Sequence, residues 1–360
     1  MKKVVFLFVF SLFVSFALLG QGFQYRSKYP DIPIVDVHSH ACWVSHAKYL
    51  IEVSDTIKQR HGSNLAFWIG LDPVADPAKM KTVANNRMLF AVRPRSDNAV
   101  QARPHNAYEE RVKNNFYADE VVQKVHHDGY VGLKIWFGPH DRRGNRGQVG
   151  LTMIDDPIFA PFFSKLEEEN ILLTSLHVAD PNGPFVNRKT DTYLRSMVND
   201  PVWFWKQIRA FENVVAKYPN LTIVAAHAAF LFSQDAQVDY LRYMLSTYPN
   251  LYVDISATDF HLHYSNRDNL RDFFIEYQDR ILFGLDDGYI GESRLDFVVN
   301  WYAHFFSFLE TDQIVNLGYL HNLPTKGLEL PREALEKIYY RNALKLYPGL
   351  REAMGYPLVN

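Results

Sequence analysis

Short apolar runs alternate with helical patterns along almost the whole chain. Eight of these runs are rich in Val, Ile, Leu or aromatic residues and are short enough for strands that are buried on both faces. The predicted strands are Ile34–His38, Phe67–Leu71, Met88–Arg93, Tyr130–Trp136, Ile171–His177, Leu221–His227, Leu251–Ile255 and Ile281–Leu285. Strands that alternate with helices in this way are typical of βα units. The pattern therefore predicts an α/β fold, a (β/α)8 TIM barrel.

The segments between these strands show helical periodicity. Lys206–Tyr218 places apolar residues on one face and ends before Pro219. The tetrapeptide Tyr-Pro-Asn-Leu begins at Tyr218 and again at Tyr248, each time between a predicted helix and a strand, which is a weak internal repeat of the kind a barrel produces. A last helix, Arg332–Leu346, has no strand after it, so we expect it to pack across the outside of the barrel.

Two connections are longer than ordinary loops. Phe137–Asp156 follows the fourth predicted strand, and Val178–Trp205 follows the fifth. Long connections inside a compact domain are usually functional or disordered, and both of these leave the carboxyl ends of strands, where barrel active sites are built. No linker divides residues 23–360, which we predict to form a single domain.

The N-terminus has the pattern of a secretory signal peptide. Lys2 and Lys3 precede the apolar run Val4–Leu19, and small residues follow up to Gly22. We expect cleavage after Gly22, a mature chain that begins near Phe23, and a periplasmic or secreted protein. An uncleaved membrane anchor is the alternative, although the apolar run is short for a spanning helix. After removal of the signal we expect no stable membrane insertion.

Composition narrows the classes of partner. Hydrophobic residues make up 48% and charged residues 22% of the chain, close to the average of globular proteins. The net charge of -2 and the lack of a basic block argue against nucleic acid as a partner. The one cysteine, Cys42, cannot form an intramolecular disulfide. We expect a small-molecule substrate, and a homo-oligomer remains open.

Polar side chains end four of the predicted strands. His38 and His40 lie at the end of the first, and the period of two along a strand points both imidazoles to the same side, where they can bind zinc or a similar metal. His177, His227 and Asp286 end three others. A lone histidine is more simply a hydrogen-bonded buried residue, and a lone aspartate a helix N-cap. Together these strand ends favour a metal site.

With these residues in place, the sequence resembles the amidohydrolase superfamily, in particular the branch of small-molecule hydrolases, lactonases and aromatic-acid decarboxylases. The resemblance extends over nearly the whole mature chain. It runs from Asp36-Val-His-Ser-His40 through Phe283-Gly-Leu-Asp286 to the closing helix at Ile338-Tyr-Tyr-Arg-Asn342-Ala.

The resemblance implies a set of metal ligands. His38, His40 and Asp286 would bind the metal, with His177 as a fourth ligand. His227 would either bind a second metal or donate a hydrogen bond to substrate.

Lys134 bears on the number of metal ions. It stands at the strand position where binuclear members of the family carry a carbamylated lysine that bridges both ions. An ordinary ammonium group, in a salt bridge or on a substrate anion, is the alternative. We expect one ion, Zn²⁺ first, with Mn²⁺ or another divalent ion as alternatives; two ions would require carbamylation of Lys134.

A mechanism follows from such a site. A water molecule on the metal loses its proton more readily, near neutral pH. Asp286 would accept that proton as general base and later deliver it to the leaving group, while His177 or His227 polarises the scissile carbonyl. Asp287 follows directly, so the aspartate assignment is open by one residue; Asp286 is preferred because the family's aspartate follows the Phe-Gly-x segment at that spacing.

Further residues near the predicted barrel mouth are candidates for contact with substrate. These are Arg93, Arg95, His140 and Asp180. Arginines can hold a carboxylate through two hydrogen bonds. Asp254 ends the seventh strand and could orient a ligand histidine. His261 and His263 follow that strand and are interpreted as loop residues outside the site.

Three functions fit this sequence. The first is a metal-dependent hydrolase that cleaves a lactone, ester or amide bond of a small, carboxylated substrate. The second is a metal-dependent decarboxylase, a lyase, of an aromatic or unsaturated acid. The third is an exported non-enzymatic binding protein with a structural metal, although a structural site is closed by four ligands and need not lie at the catalytic face. Export favours hydrolysis.

Overall fold

The computed structural model describes residues 23–71, 73–94, 113–136, 153–179, 201–259, 261–288, 294–317 and 323–357, apart from the side chains of 136 and 201–203. Its strands are β1 (Pro33–His40), β2 (Asn64–Gly70), β3 (Met88–Phe90), β4 (Leu133–Trp136), β5 (Leu173–His177), β6 (Ile223–Ala225), β7 (Leu251–Asp254), β8 (Ile281–Leu282), β9 (Asp287–Gly288), β10 (Ile314–Leu317) and β11 (Leu323–Lys326).

Helices follow most of these strands. They are α1 (Val44–His61), α2 (Pro77–Val83), α3 (Ala118–His127), α4 (Ala160–Glu168), α5 (Pro201–Lys217), α6 (Asp235–Thr247), α7 (Arg267–Glu276), α8 (Leu295–Glu310), α9 (Arg332–Glu336), α10 (Asn342–Leu346) and α11 (Leu350–Ala353). A π-helical turn, Lys337–Arg341, joins α9 to α10. Among the described helices, none is both long enough and apolar enough to cross a membrane.

Strands β1 to β8 close into a barrel of parallel strands. The pairing order is β3-β2-β1-β9 in one sheet and β4-β5-β6-β7-β8 in the other. Hydrogen bonds join the two sheets at both edges. Next to β3 and β4, the Val92 amide donates to the Gly132 carbonyl at 2.7 Å. Next to β8 and β1, the Asp286 amide donates to the His38 carbonyl at 3.0 Å. The predicted TIM barrel is confirmed.

All eight predicted strands are present, but several are shorter than their apolar runs. The run Leu221–His227 contains a strand of three residues, β6, and the run Ile281–Leu285 contains a strand of two, β8. Apolar character extends beyond the paired residues because side chains next to a strand end are buried as well. The β10–β11 hairpin, which pairs antiparallel, was not predicted.

The barrel interior is filled by inward-facing apolar side chains, and the C-terminal segment covers one end of it. The strand residues of this cluster include Val35, Val37, Phe67, Ile69, Leu89, Val224, Tyr252 and Leu282. Leu344, Tyr347 and Leu350 belong to the same cluster. The Tyr347 hydroxyl donates to the Thr174 carbonyl at 3.3 Å, near the beginning of β5.

The predicted position of the last helix was therefore only partly right. Ile338 and Tyr339 pack in the outer layer, between the strands and the surrounding helices. The chain then turns beneath the barrel, and residues from Ala343 onward contact its interior. This segment therefore covers the apolar side chains that face the barrel interior at that end.

The outer layer is rich in aromatic rings, and several of them lie in the run 301–308 of α8. Phe305 and Phe306 of α8 pack on Phe283, which follows β8, with ring centroids 5.7 Å and 5.2 Å apart. These contacts hold α8 against the strands that carry the candidate site. These aromatic residues therefore belong to the core.

Much of both long predicted loops, and the segment 1–22, lies outside the described residues. Helix α5 begins at Pro201, so the connection after β5 ends earlier than the predicted Trp205. Proline at the first helical position fits, because the backbone N–H it lacks would have no helical partner there.

Candidate metal centre

Five side chains meet where β1, β5, β6 and β8 end. His38, His227 and Asp286 each offer one ligand atom, and these atoms lie within 4.8 Å of one another. His40 Nε2 lies 2.9 Å from Asp286 Oδ1, and His177 Nδ1 lies 3.1 Å from His227 Nε2. The barrel therefore brings together residues that lie as far as 248 positions apart, from 38 to 286.

The spacing of these atoms suits a metal ion. Ligand atoms about 2.0–2.1 Å from a tetrahedral ion lie roughly 3.3 Å from one another. His38 Nε2 and His40 Nε2 lie 3.5 Å and 2.9 Å from Asp286 Oδ1. Two imidazoles and a carboxylate are a donor set that zinc and related divalent ions accept. The chain thus holds a candidate metal site made of histidine and aspartate.

Both buried histidines are held neutral, as metal ligands must be. Burial lowers the pKa of His38, and the nearby Lys134 ammonium lowers it further. Burial also lowers the pKa of His227 well below its ordinary value, with a further contribution from His177. A neutral imidazole keeps one nitrogen lone pair for a cation.

Asp286 is held ionised. Burial acts to raise the pKa of its carboxyl, but His38 and His40 outweigh this and keep the pKa below the usual range. The side chain is 27% exposed, so a water molecule or substrate can reach it. The carboxylate can therefore contact both a metal and a reactant.

Two residues of the centre have left-handed backbone conformations. The φ angle is 57° at His227 and 70° at Asp286, and Ala228, Ala229 and Phe230 continue the left-handed turn after β6. Each such residue other than glycine costs about 1–2 kcal/mol. Backbone strain of this kind tends to occur at functional sites. Here the turns direct His227 and Asp286 toward the other ligands instead of along their strands.

Lys134 lies beside the centre, on β4. Its Nζ donates to Ser175 Oγ at 2.9 Å and lies 3.4 Å from His38 Nε2, and the side chain is buried. The lysine that the sequence singled out therefore contacts a candidate ligand directly.

The two consecutive carboxylates have different surroundings. Asp286 faces the histidines of the centre, whereas Asp287 is buried with Oδ2 3.4 Å from His46 Nε2. Close to Asp287, burial and the Asp287 charge raise the pKa of Asp36 to about 8, and the Tyr302 hydroxyl donates to Asp36 at 2.6 Å. Of the two neighbours, Asp286 lies with the candidate ligands.

Only one of the predicted substrate residues lies within the described part of the chain. Arg93 follows β3 and is partly exposed. Arg95, His140 and Asp180 lie outside the described residues.

His261, interpreted from the sequence as a loop residue outside the site, does lie in the loop after β7, but it approaches the centre through Phe230. It is buried, and its ring packs edge-on against Phe230 with centroids 5.7 Å apart. Phe230 also contacts His177 and His227, at 5.5 Å and 4.9 Å. Burial and the proximity of His227 lower the pKa of His261 to about 4. No local pattern marks this contact, because it forms between two separate loops.

Comparison with known proteins identifies the family. A family model described as amidohydrolase matches residues 63–349, a range that includes His177, His227 and Asp286, while His38 and His40 precede it. A search of curated proteins found no match.

Solved structures with a similar fold were also found. A TIM-barrel protein of unknown function from Bordetella bronchiseptica is 13% identical, with a TM-score of 0.51 over 90% of this chain and 99% of that chain. A proposed amidohydrolase from Staphylococcus aureus is 14% identical, with a TM-score of 0.48 over 87% of this chain and 99% of that chain. A 2,6-dihydroxybenzoate decarboxylase bound to 2,6-dihydroxybenzoate is 15% identical, with a TM-score of 0.47 over 87% of this chain and 98% of that chain.

The first of these structures agrees with the barrel architecture, and the family match extends over most of the chain. The chain therefore belongs to the amidohydrolase family.

Proposed function

We propose that this protein is a metal-dependent hydrolase that cleaves a lactone, ester or amide bond of a small, carboxylated molecule. The position of Asp286 is the observation that carries the proposal. Its Oδ1 lies 2.9 Å from His40 Nε2, its Oδ2 lies 4.0 Å from His227 Nε2, and the side chain remains partly exposed. A carboxylate placed in this way can hold a metal and take a proton from an attacking water molecule.

The proposed ligands of a single Zn²⁺ ion are His38, His40, His177 and Asp286. A bound divalent ion would lower the pKa of a water molecule and polarise the carbonyl of the substrate. His227 is a further candidate ligand, to this ion or to a second one, because it belongs to the same cluster and its Nε2 lies 4.0 Å from Asp286 Oδ2. With His227, a second ion would require Lys134 as a carbamate, since an ammonium group has no lone pair to offer.

The hydrogen bonds of His227 favour a ligand role over donation to a substrate carbonyl. Its Nδ1 donates to the Ser256 carbonyl at 2.8 Å, which leaves Nε2 as an acceptor. His177 Nδ1, at 3.1 Å from that Nε2, is then the donor of the pair. In this arrangement Asp286 is the group that moves the proton, first from water and then to the leaving group.

Arg93 is proposed to bind the carboxylate of the substrate, because it is partly exposed just beyond β3 at the same end of the barrel. Arg95, His140 and Asp180 remain predictions for the same role. We also propose that the protein is exported and acts in the periplasm or outside the cell, on the basis of the pattern from Lys2 to Gly22.

The test compares Asp286→Asn with Asp287→Asn. Asparagine keeps the size and one oxygen donor but cannot accept a proton near neutral pH. In Asp286→Asn, turnover should fall by about 10²–10⁴-fold, the usual effect of losing a general base, while most of the metal is retained. In Asp287→Asn, turnover per folded molecule should change much less. Metal content and turnover are measured on the substrate found in a screen of lactones, esters, amides and aromatic acids.

The readouts separate the alternatives. Release of carbon dioxide from an aromatic acid, with no hydrolysis of any ester, lactone or amide, would replace the hydrolase with a decarboxylase. Stoichiometric metal with no turnover on any compound would favour a structural metal. Full turnover in Asp286→Asn would contradict the assignment of Asp286 as the base.

A further inference from the structure

We propose that Asp254 and Ser256, at the end of β7, are positioning residues that set the tautomers of His38 and His227 together, so that Nε2 of each faces the metal position. The proposal rests on the proposed function, because it assumes that an ion binds there. Neither residue is assigned to substrate or metal; both act through the two histidines.

One buried carboxylate connects the two histidines. Asp254 Oδ2 accepts from His38 Nδ1 at 2.9 Å. Asp254 Oδ1 accepts the backbone N–H of His227 at 3.1 Å, the backbone N–H of Ser256 at 3.0 Å, and the Ser256 hydroxyl. Asp254, Ser256 and His38 are fully buried, and His227 is 2% exposed. Water therefore does not compete for these hydrogen bonds.

These partners decide which nitrogen carries the proton. An ionised carboxylate only accepts hydrogen bonds, so His38 Nδ1 must carry the proton and Nε2 keeps its lone pair. A carbonyl also only accepts, so the 2.8 Å contact between His227 Nδ1 and the Ser256 carbonyl gives His227 the same tautomer. Ser256 Oγ, 2.9 Å and 3.0 Å from the two Nδ1 atoms, lies between the rings.

The remaining nitrogens point toward Asp286. His38 Nε2 lies 3.5 Å from Asp286 Oδ1, and His227 Nε2 lies 4.0 Å from Asp286 Oδ2. Partners that orient ligand histidines in this way typically account for a 10–100-fold change in metal affinity. Asp254 and Ser256 thus orient His38 of β1 and His227, which follows β6, at the same time.

The experiment replaces Asp254 with asparagine. Three donors converge on Oδ1, so the amide oxygen of Asp254→Asn should remain there and the amide nitrogen should face His38. His38 Nδ1 would then have to accept, and its proton would move to Nε2, which cannot bind a metal in that form. We expect the Zn²⁺ affinity, measured by competition with a chromophoric chelator, to fall by about 10–100-fold.

A second readout follows the protons directly. In ¹⁵N-histidine NMR spectra of the metal-free protein, wild-type His38 and His227 should both show a protonated Nδ1. In Asp254→Asn, His38 should change to a protonated Nε2. The wild-type measurement requires no variant, so it tests the proposal even if Asp254→Asn fails to fold; a protonated Nε2 at either histidine in the wild type would overturn it.

Asn250→Ala is the matched control for lost stability. Asn250 directly precedes β7, at the other end from Asp254, and its amide donates to the carbonyls of Val215, Tyr218 and Leu221 at 3.1 Å, 2.9 Å and 3.2 Å. The variant should be less stable, with unchanged Zn²⁺ affinity and histidine tautomers. An equal loss of Zn²⁺ affinity in Asn250→Ala and Asp254→Asn would mean that Asp254 acts only through the stability of the fold. That result would refute the proposal.

A further variant tests the assignment of the metal ligands separately from the positioning role of Asp254. His38→Ala should lose most Zn²⁺ affinity. Retained affinity in His38→Ala would refute the proposed ligands. Lost affinity in His38→Ala with wild-type affinity and tautomers in Asp254→Asn would leave the metal site intact and refute only the positioning role.

Discussion

The tight packing of Gly284 under the metal centre predicts that even one added methyl group disturbs the site. A Cβ at this position would lie 2.8 Å from His38 Cβ and 3.2 Å from Ser256 Cβ. Ordinary carbon–carbon contacts are about 3.5–4.0 Å, so the overlap with His38 is roughly 0.7 Å or more. A Cβ atom cannot rotate away from a clash, because the backbone determines its position. The strands themselves would have to move.

The cost can be estimated from overpacking of protein cores. Gly284→Ala should lower the free energy of unfolding by about 1–3 kcal/mol. The displaced residue is also a candidate ligand, and a misplacement of about 1 Å at a site can cost on the order of 10²-fold in function. Zn²⁺ affinity should therefore fall together with stability. Urea unfolding of the metal-free protein and chelator competition measure the two effects separately.

Gly288→Ala serves as the control, because a Cβ there meets no atom within 4 Å and the residue pairs with His40 at the same end of the barrel. Its stability should stay within about 0.5 kcal/mol of the wild type. If Gly284→Ala matched the wild type in both unfolding free energy and Zn²⁺ affinity, the close approach of these strands would not be a constraint on the site.

Three other expectations concern parts of the chain away from the centre. Asn342→Ala should lower the free energy of unfolding in urea by about 1–3 kcal/mol without changing Zn²⁺ affinity, because its amide donates to the carbonyls of Gln278 and Ile281, both at 2.7 Å, and the bond to Ile281 is buried. Burial raises the pKa of Glu310 above its ordinary 4.5, so the stability it contributes is present below pH 4.5 and is lost as the pH rises through the raised pKa. In urea unfolding at a series of pH values, the free energy of unfolding of Glu310→Gln should rise relative to that of the wild type from pH 4.5 upward. A difference between the two proteins that does not depend on pH would contradict this. N-terminal sequencing after expression in a bacterium with a standard export pathway should find Phe23 or a near neighbour first, whereas an intact Met1 on cytoplasmic protein would exclude cleavage.

Local pattern was sufficient to predict the eight barrel strands. A parallel strand buried on both faces needs a continuous apolar run, and such runs are visible without knowledge of their neighbours. Strand ends were predicted less well, as β6 and β8 show, because pairing depends on how far the adjacent strand extends. The hairpin β10–β11 was missed for a related reason. Its second strand, β11, alternates between partly buried and exposed residues and carries no strong apolar signal.

The polar residues at strand ends were also visible in the sequence, because a charged or imidazole side chain that interrupts an apolar run is conspicuous. Which of them meet is a different question. The strand pattern alone does not separate Asp286 from Asp287, and the preference for Asp286 came from the family's spacing. In the structure the turn after β8, with Asp286 at a φ of 70°, directs Asp286 toward the histidines and Asp287 toward His46.

The contacts that orient the ligands depend on closure of the barrel. Asp254 could be suspected from its place at a strand end, but its simultaneous bonds to His38, 216 positions earlier, and to His227 require β1, β6 and β7 to converge. The burial of His261 and the close approach of Gly284 arise in the same way. Residue type and periodicity along the chain decide which side chains are available at the barrel mouth. Distances, proton positions and burial among them are set by contacts between distant segments, which exist only in the folded barrel.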